Sequence, residues 1–263
     1  MGVLTLTTDW GLRDHYIASF KASLLAGIPG LPMIDISHEV EPFNTIQAAY
    51  IIKNSFRRFP VGSIHFLGVS GNENCTNEKP YVVIKSDGHF LLGEDNGIFS
   101  LILGNAEMEI IRLPVPANTE WSELTRVFTE AIGSLHRGKF AELGVKNTSL
   151  EESYFAYPTI DDLAIRGTII YIDSYGNVVM NITRELFEQA RKKRTFTILL
   201  RRAEYQVERI SSSYEDVEVG EVLGLFNQDG YLEIAINKGS AEKLLGLKIM
   251  DSIRIEFDDN TTR

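Results

Sequence analysis

The amino-terminal stretch is the feature that most restricts the fold of this chain. Residues 3–8 alternate apolar and hydroxylated side chains, the pattern of a β-strand. Asp9 follows, Gly11 interrupts the pattern, and Asp14 stands at the N-cap position of a helix predicted from Tyr16. A strand that runs through a short loop into a helix predicts an α/β layer, with Asp9 at the carboxyl end of the first strand.

Asp9 is a candidate ligand-binding residue because of this position. In open α/β sheets, ligands bind in the crevice beyond the carboxyl ends of the strands. A carboxylate there is suited to accept hydrogen bonds from the two hydroxyls of a ribose. The alternative is that Asp9 only caps a turn, since aspartate is common in turns for local reasons. The residues of this stretch leave both interpretations open.

The remaining pattern predicts two domains. In the first half, strands at 33–36, 64–69, 81–84 and 90–93 alternate with helices at 46–56 and 123–137. Residues 152–166 have the composition of a linker, and seven short strand-like runs follow it between residues 168 and 257. We therefore predict a Rossmann-like α/β layered domain at residues 1–157 and a C-terminal antiparallel β-barrel-like domain at residues 158–263.

The composition excludes several classes of protein. Of the 263 residues, 44% are hydrophobic and 24% charged, which is typical of a globular chain. No apolar run approaches the roughly 20 residues of a membrane span, and no signal-peptide pattern opens the sequence, so we expect a cytoplasmic protein without a membrane partner. Cys75 is the single cysteine, which argues against a disulfide or a metal site. A net charge of -10 argues against a nucleic-acid partner.

Six short motifs carry a resemblance across nearly the whole chain. They are residues 8–11 (TDWG), 34–40 (IDISHEV), 59–65 (FPVGSIH), 95–100 (DNGIFS), 172–177 (IDSYGN) and 230–235 (GYLEIA). In this order and spacing, the chain resembles the S-adenosyl-L-methionine (SAM) hydroxide adenosyltransferases, the SAM hydrolases related to fluorinating and chlorinating enzymes. The resemblance implies a homotrimer with ligand sites between the N-terminal domain of one subunit and the C-terminal domain of its neighbour.

The resemblance also implies the chemistry and the site. Water attacks C5′ of SAM, and adenosine and L-methionine leave, with no cofactor or metal. Asp9 binds the ribose hydroxyls and Phe43 lies against the sugar or the methionine part. Asp173, Tyr175 and Asn177 form the C-terminal contribution to the adenosyl site.

Local interpretations compete with these roles. Tyr175 has the alternative of a core aromatic residue, and Asn177, after a glycine, that of a turn residue. His65 lies in a predicted strand, where we expect a packed, hydrogen-bonded histidine. His38 follows a strand and is a loop residue near the expected pocket. Residues 96–97 (Asn-Gly) favour a structural role.

The water-handling residues of the family are the main departure. The family's aspartate, in the loop after the third strand, corresponds to Ser70, which is therefore our candidate catalytic residue. The family's set also contains an arginine and a histidine. No arginine occurs at residues 76–79, where that arginine is expected, and Glu123 aligns with the histidine. Possible substitutes are Glu73, Glu78, Lys79, Glu123 and Arg126.

Three functions remain open at this point. The first is a SAM hydrolase with an altered water site, slower than a relative with the complete set. The second is a non-catalytic member of the same fold that binds SAM or a nucleoside. The third is a relative that acts on another adenosyl compound.

Overall fold

A computed structural model describes residues 2–69, 80–116, 119–154, 157–200 and 205–258. The chain divides into two compact units, Met1–Tyr154 and Phe155–Arg263. The predicted boundary between residues 157 and 158 stays a prediction. Residues 70–79, which include Ser70, Glu73, Cys75, Glu78 and Lys79, lie outside the described residues. Within the described ranges, no helix is long and apolar enough to cross a membrane.

The first unit is built on a mixed seven-stranded sheet. Its elements are β1 (Leu4–Thr8), α1 (Tyr16–Gly27), β2 (Met33–Ser37), α2 (Thr45–Lys53), β3 (Ile64–Gly68), β4 (Tyr81–Ser86), β5 (His89–Glu94), α3 (Ile98–Leu103), β6 (Glu109–Arg112), α4 (Trp121–His136) and β7 (Val145–Asn147). The strand order is β2-β1-β3-β5-β4-β6-β7. The first four strands in this order are parallel, and β4, β6 and β7 continue the sheet antiparallel. The alternating strands and helices confirm the predicted α/β layer.

Both faces of β1 are buried, although its sequence alternates apolar and hydroxylated residues. Leu4 and Leu6 pack with Phe20 of α1 and Phe128 of α4 in one core. Successive side chains of a strand point to opposite faces, so Thr5 and Thr7 face the other layer, where α2 lies against β1 and α3. The hydroxyls are therefore internal groups that need hydrogen-bond partners.

The predicted N-cap of α1 is wrong by one residue. The helix begins at Tyr16 as expected, but its N-cap is His15, which makes no side-chain capping hydrogen bond. His15 instead stacks on Tyr16, with ring centroids 4.7 Å apart, and its carbonyl accepts from Ser19 N at 2.9 Å. Asp14 therefore lies in the turn before the cap.

The second unit is a strongly curved, almost entirely antiparallel sheet. Its elements are β8 (Thr159–Ile160), β9 (Ala164–Ile172), β10 (Val178–Thr183), α5 (Arg184–Arg191), β11 (Phe196–Leu199), β12 (Gln206–Val207), β13 (Ile210–Ser211), β14 (Val222–Phe226), β15 (Tyr231–Ile236), α6 (Ala241–Leu245) and β16 (Ser252–Phe257). The strand order is β12-β11-β16-β9-β10-β15-β14-β13, with β8 on β9 and one parallel pair, β13 with β14. Because β12 also lies against β14, the sheet nearly closes on itself, which confirms the barrel-like prediction.

Two parts of this unit differ from the sequence prediction. The predicted linker at 152–166 contains β8 and the first residues of β9, where Ala164 and Ile165 are buried. Helix α5 was not predicted. Thr183 caps it by accepting from Leu186 N at 3.3 Å, and the fully buried ring of Phe187 joins it to the barrel core.

Candidate functional site

Asp9 lies at the topological switch point of the first sheet. The chain leaves β1 toward β2 on one side, whereas it continues from β3 toward β5 on the other. The carboxyl ends of β1 and β3 are adjacent, and Asp9 N donates to Gly68 O at 3.3 Å. This crevice is where doubly wound sheets bind ligands, so the geometry places Asp9 where the sequence predicted it.

The carboxylate of Asp9 contacts a second predicted site residue. Phe43 N donates to Asp9 Oδ2 at 3.0 Å, across 34 positions of sequence. The contact joins two loops, so Asp9 does more than cap a local turn. Phe43 has a φ of +65°, a left-handed conformation that is rare for an aromatic residue, and half of its side chain is exposed. Strain of this kind is commonly found at ligand sites.

The loop that carries Phe43 is held by the start of α2. Asn44 is the N-cap and accepts from Gln47 N at 2.9 Å. The side-chain oxygen of Gln47 in turn accepts from Glu41 N at 2.6 Å, and Asn44 Nδ2 donates to Glu41 Oε2 at 3.0 Å. These reciprocal bonds fix the backbone on both sides of Phe43.

Trp10 anchors the other loop in the aromatic core. Its ring meets Phe20, Phe66 and Trp121 edge-on, with centroids 5.7, 5.9 and 4.9 Å away. A Cβ added to Gly68 would lie 2.6 Å from the Trp10 ring, so glycine at the end of β3 permits this packing. The residue after Asp9 is thus immobilised.

His38 connects the same two loops from within the protein. Its ring is 97% buried, with Nδ1 at 2.9 Å from Thr8 Oγ1, and its carbonyl accepts from Gly11 N at 2.7 Å. Nε2 is 3.1 Å from Asp35 Oδ1, close enough for an electrostatic contact although out of line for a hydrogen bond. The histidine is therefore near Asp9, as expected, with its ring enclosed by protein.

Burial and two neighbouring side chains act on the pKa of Asp35 in opposite directions. Partial burial acts to raise its pKa, but the hydrogen bond from Lys21, at 2.6 Å, and the nearby His38 ring together lower the pKa below its usual value. Asp35 is consequently a carboxylate that stays charged and faces His38.

The three site residues predicted in the second unit share one turn between β9 and β10. Asp173 Oδ1 accepts from Tyr175 N at 2.9 Å and from Asn177 N at 2.8 Å, and Oδ2 accepts from Asn177 Nδ2 at 3.0 Å. Asn177 is buried and has the turn role that the sequence left open. Tyr175 is 78% exposed, so the alternative of a core aromatic is wrong. Its ring is available to a ligand.

Sequence reasoning missed a second carboxylate near this turn. Glu233 of β15 is buried and accepts from the Tyr214 hydroxyl at 2.6 Å. Burial raises the pKa of Glu233, the bond from Tyr214 acts against this rise, and the charge of Asp173 adds to it. The signal was a glutamate inside the apolar run of residues 231–236.

Glu123 and Arg126, the two candidate substitutes for the water-handling set that the structure describes, pair with each other. Arg126 donates to Glu123 at 2.5 and 3.2 Å and to Glu130 at 2.5 Å, all on the exposed side of α4. This is a solvated helix-face network. The other candidates, including Ser70, lie outside the described residues. Among the described residues, no group of three histidine, cysteine, aspartate or glutamate side chains could hold a metal ion.

The other polar residues singled out in the sequence have structural partners. Asn96 Nδ2 donates to Val69 O at 2.9 Å, and its Oδ1 accepts from Ile98 N at 3.3 Å. His65 is buried and bonded to Thr5 Oγ1 at 2.7 Å, which confirms a packed histidine. His136 is exposed at the end of α4.

Comparison with known families covers both units. Residues 4–144 match the model of the SAM hydroxide adenosyltransferase N-terminal domain, and residues 167–254 match that of the C-terminal domain. The chain belongs to the SAM hydroxide adenosyltransferase family. The resemblance recognised in the motifs is thereby confirmed.

Relatives of this family match over nearly their full length. The chain is 28% identical to the (R)-S-adenosyl-L-methionine hydrolase of Methanocaldococcus jannaschii, over 98% of this chain and 97% of that protein. It is 26% identical to the hydrolase of the same name from Thermus thermophilus, over 92% and 94%. The crystal structure of an uncharacterized conserved protein from Thermotoga maritima superposes with a TM-score of 0.84 at 26% identity, covering 96% of this chain and 99% of that one.

Proposed function

We propose that this protein hydrolyses SAM to adenosine and L-methionine. The observation that carries the proposal is Asp9, held against Phe43 at the switch point of a chain that matches two SAM hydrolases end to end. The names of these relatives favour cleavage over non-catalytic binding. Asp9 accepts hydrogen bonds from the ribose hydroxyls, and Phe43 supplies apolar surface beside the sugar or the methionine part.

The reaction is a displacement at C5′. The oxygen of water forms a bond to C5′ while the C5′–S bond breaks, and the bonding electron pair moves to sulfur. The cationic sulfonium becomes a neutral thioether, and the proton of the attacking water passes to solvent. Sulfonium is already a good leaving group, so the protein mainly aligns water and substrate and excludes other solvent.

Ser70 is the residue that we propose for orienting the water. It takes the position of the family's aspartate, and its hydroxyl can donate and accept a hydrogen bond, but it is a poor base. We therefore expect hydrolysis on the order of 10²-fold slower than with a complete water-handling set.

We further propose a homotrimer that acts in the cytoplasm without a cofactor. Asp9 and Phe43 of one subunit would bind the same adenosyl ligand as Asp173, Tyr175 and Asn177 of its neighbour. Family resemblance supports this arrangement. Sedimentation equilibrium should give three times the chain mass, and a monomer that binds adenosine with full affinity would contradict shared sites.

The decisive experiment follows the oxygen atom. Purified protein is incubated with SAM in water enriched in heavy oxygen, and the products are analysed by mass spectrometry beside an enzyme-free control. We expect adenosine with the heavy oxygen in its 5′-hydroxyl, together with methionine. Unlabelled products, or none above the control, would refute water attack at C5′.

A restoration variant tests the role of Ser70. Ser70→Asp combined with Asn77→Arg should accelerate adenosine release, because it returns two charged groups to the loop after β3. If wild type and the double variant bind SAM and neither releases adenosine, the protein is a SAM-binding member of the family and hydrolysis is the wrong activity.

A further inference from the structure

Three hydrogen bonds tie the loop after β1 to the loop after β2. They are Phe43 N to Asp9 Oδ2 at 3.0 Å, Gly11 N to His38 O at 2.7 Å, and the contact between Thr8 Oγ1 and His38 Nδ1 at 2.9 Å. We call this set the strand-end bridge. It surrounds Asp9 in sequence, with one bond at Thr8, one at Asp9 itself and one at Gly11.

The surroundings of His38 determine the direction of the bond to Thr8. Asp35 Oδ1 is 3.1 Å from Nε2, and at this distance the carboxylate would repel a bare nitrogen lone pair, although the two groups are not aligned for a hydrogen bond. We therefore assign a proton to Nε2, so that Nδ1 accepts from the Thr8 hydroxyl. The Thr8 oxygen keeps its lone pairs for Trp10 N, at 3.4 Å.

The Nε2 side of the His38 ring faces a carboxylate that is itself held in place. Lys21 donates to Asp35 Oδ2 at 2.6 Å, so a residue of α1 fixes the carboxylate that faces His38. The chain of contacts runs from Lys21 through Asp35 and His38 to Thr8. Its last member immediately precedes Asp9.

We propose that Thr8 and His38 form a positioning pair that holds Asp9 in its ligand-binding geometry. The inference rests on the proposed function, because it names the residues that prepare the ribose-binding carboxylate. Thr8 is fully buried and the ring of His38 is enclosed, so neither touches the substrate. They act through the backbone that carries Asp9. A side chain oriented before binding loses less entropy when the ligand arrives.

The same strand supplies a matched control. Thr5 is also fully buried on β1, and its Oγ1 lies 2.7 Å from Nδ1 of another buried histidine, His65. The second nitrogen of His65 contacts His89 Nδ1 at 3.2 Å, within the sheet. The two threonine–histidine pairs are therefore alike in chemistry and burial, but only Thr8 belongs to the strand-end bridge.

The test compares Thr8→Val with Thr5→Val. Both changes remove one buried hydroxyl and leave one histidine nitrogen unpaired, so both lower stability, and Thr8→Val also removes the acceptor of Trp10 N. We expect kcat/KM for SAM to fall roughly tenfold in Thr8→Val, mainly through a higher KM, and to stay within about twofold of wild type in Thr5→Val. Amide hydrogen exchange should accelerate at residues 9–13 in Thr8→Val alone.

Variants at His38 separate positioning from folding. His38→Asn keeps an oxygen near the place of Nδ1 and should retain most of the affinity, whereas His38→Leu should lose it about as Thr8→Val does. If amide exchange at residues 9–13 is equally slow in the two threonine variants, the inference is overturned, whether or not the wild type hydrolyses SAM. If wild type releases no adenosine but the exchange contrast appears, the proposed function fails and the positioning pair stands. Equal kinetic losses in both threonine variants would mean a structural role only.

Discussion

Asp9 and Phe43 illustrate how single residues prepare this site. The carboxylate must accept from the Phe43 amide and still offer lone pairs to a ligand, which its two oxygens allow. Phe43 must hold a left-handed backbone that costs about 1–2 kcal/mol for a residue with a Cβ. The left-handed backbone lowers local stability, which fits the ligand-binding role that we propose for both residues.

Two variants of Asp9 separate its hydrogen bond with the Phe43 amide from its contact with the ligand. Asp9→Ala removes the acceptor for both the ribose and Phe43, so adenosine affinity should fall by about 1–3 kcal/mol. Asp9→Asn keeps an oxygen for the Phe43 amide and should lose less. Titration calorimetry measures both variants. Undiminished affinity in Asp9→Ala would remove Asp9 from the site.

Replacing Phe43 by glycine should weaken binding without weakening the fold. Glycine relieves the left-handed strain but adds freedom to the unfolded chain, so the free energy of unfolding should change by less than about 1 kcal/mol. SAM affinity should fall because the aromatic surface is lost. Met250→Gly is the control, since Met250 is also exposed with a φ of +71° and lies in the second unit. A large loss of affinity in the control, or none in Phe43→Gly, would contradict this role.

At the scale of elements, the turn between β9 and β10 sets the geometry of three residues that we propose for the ligand site. Asp173 accepts three hydrogen bonds from within the turn, and Gly176 adopts a φ of +81°. A Cβ at Gly176 would lie 2.1 Å from Ser240 Oγ, the N-cap of α6. The turn therefore requires glycine for both its conformation and its closeness to α6.

Two glycine-to-alanine variants distinguish the requirement for a positive φ from the requirement for space beside α6. Gly176→Ala and Gly230→Ala place alanine at the same φ of +81°, but nothing lies within 4 Å of a Cβ at Gly230. We expect both to destabilise by about 1 kcal/mol from strain, and Gly176→Ala by a further 1–3 kcal/mol or so from the clash. Chemical unfolding followed by circular dichroism gives the difference. Equal losses would show that Ser240 moves aside freely.

At the scale of the whole molecule, buried histidines couple the stability of the first unit to pH. Burial, and secondarily the neighbouring His89, lowers the pKa of His65 to about 3, from an ordinary value of 6.5. Phe56 and Phe59 lie edge-on to the ring, with centroids 5.7 Å away. Below pH 6.5 the unfolded chain binds a proton that the folded unit excludes, so stability is lost as the pH falls from 6.5 toward 3.

The pH dependence of stability can be measured in the whole chain by a signal that comes only from the first unit. Both tryptophans, Trp10 and Trp121, lie in that unit, so their fluorescence follows its unfolding. Between pH 6.5 and 5.0 we expect a loss of about 2 kcal/mol from His65. The pH dependence should shrink in His65→Gln and persist in His136→Gln, where the histidine is exposed. An unchanged dependence in His65→Gln would exclude His65 as its source.

Sequence alone determined the features that depend on local order. Strand and helix periodicity predicted the α/β layer, the barrel-like sheet and the position of Asp9 after β1, because these patterns repeat over a few residues. Family motifs predicted a ligand-binding role for the turn between β9 and β10, which stays a prediction. Two short strands escaped this reasoning: β7 has three residues, and β6 has four, with charges at both ends.

Tertiary structure alone decided how distant residues meet. The bond from Phe43 to Asp9 spans 34 positions, and the pairing of His38 with Thr8 spans 30. No local pattern encodes such contacts, since they depend on the strand order that brings β2 beside β1. The exposure of Tyr175 and the burial of Glu233 were likewise visible only in the folded second unit. Sequence thus placed the candidate site residues along the chain, whereas packing across the sheets determined which of them meet, because contact requires proximity in space.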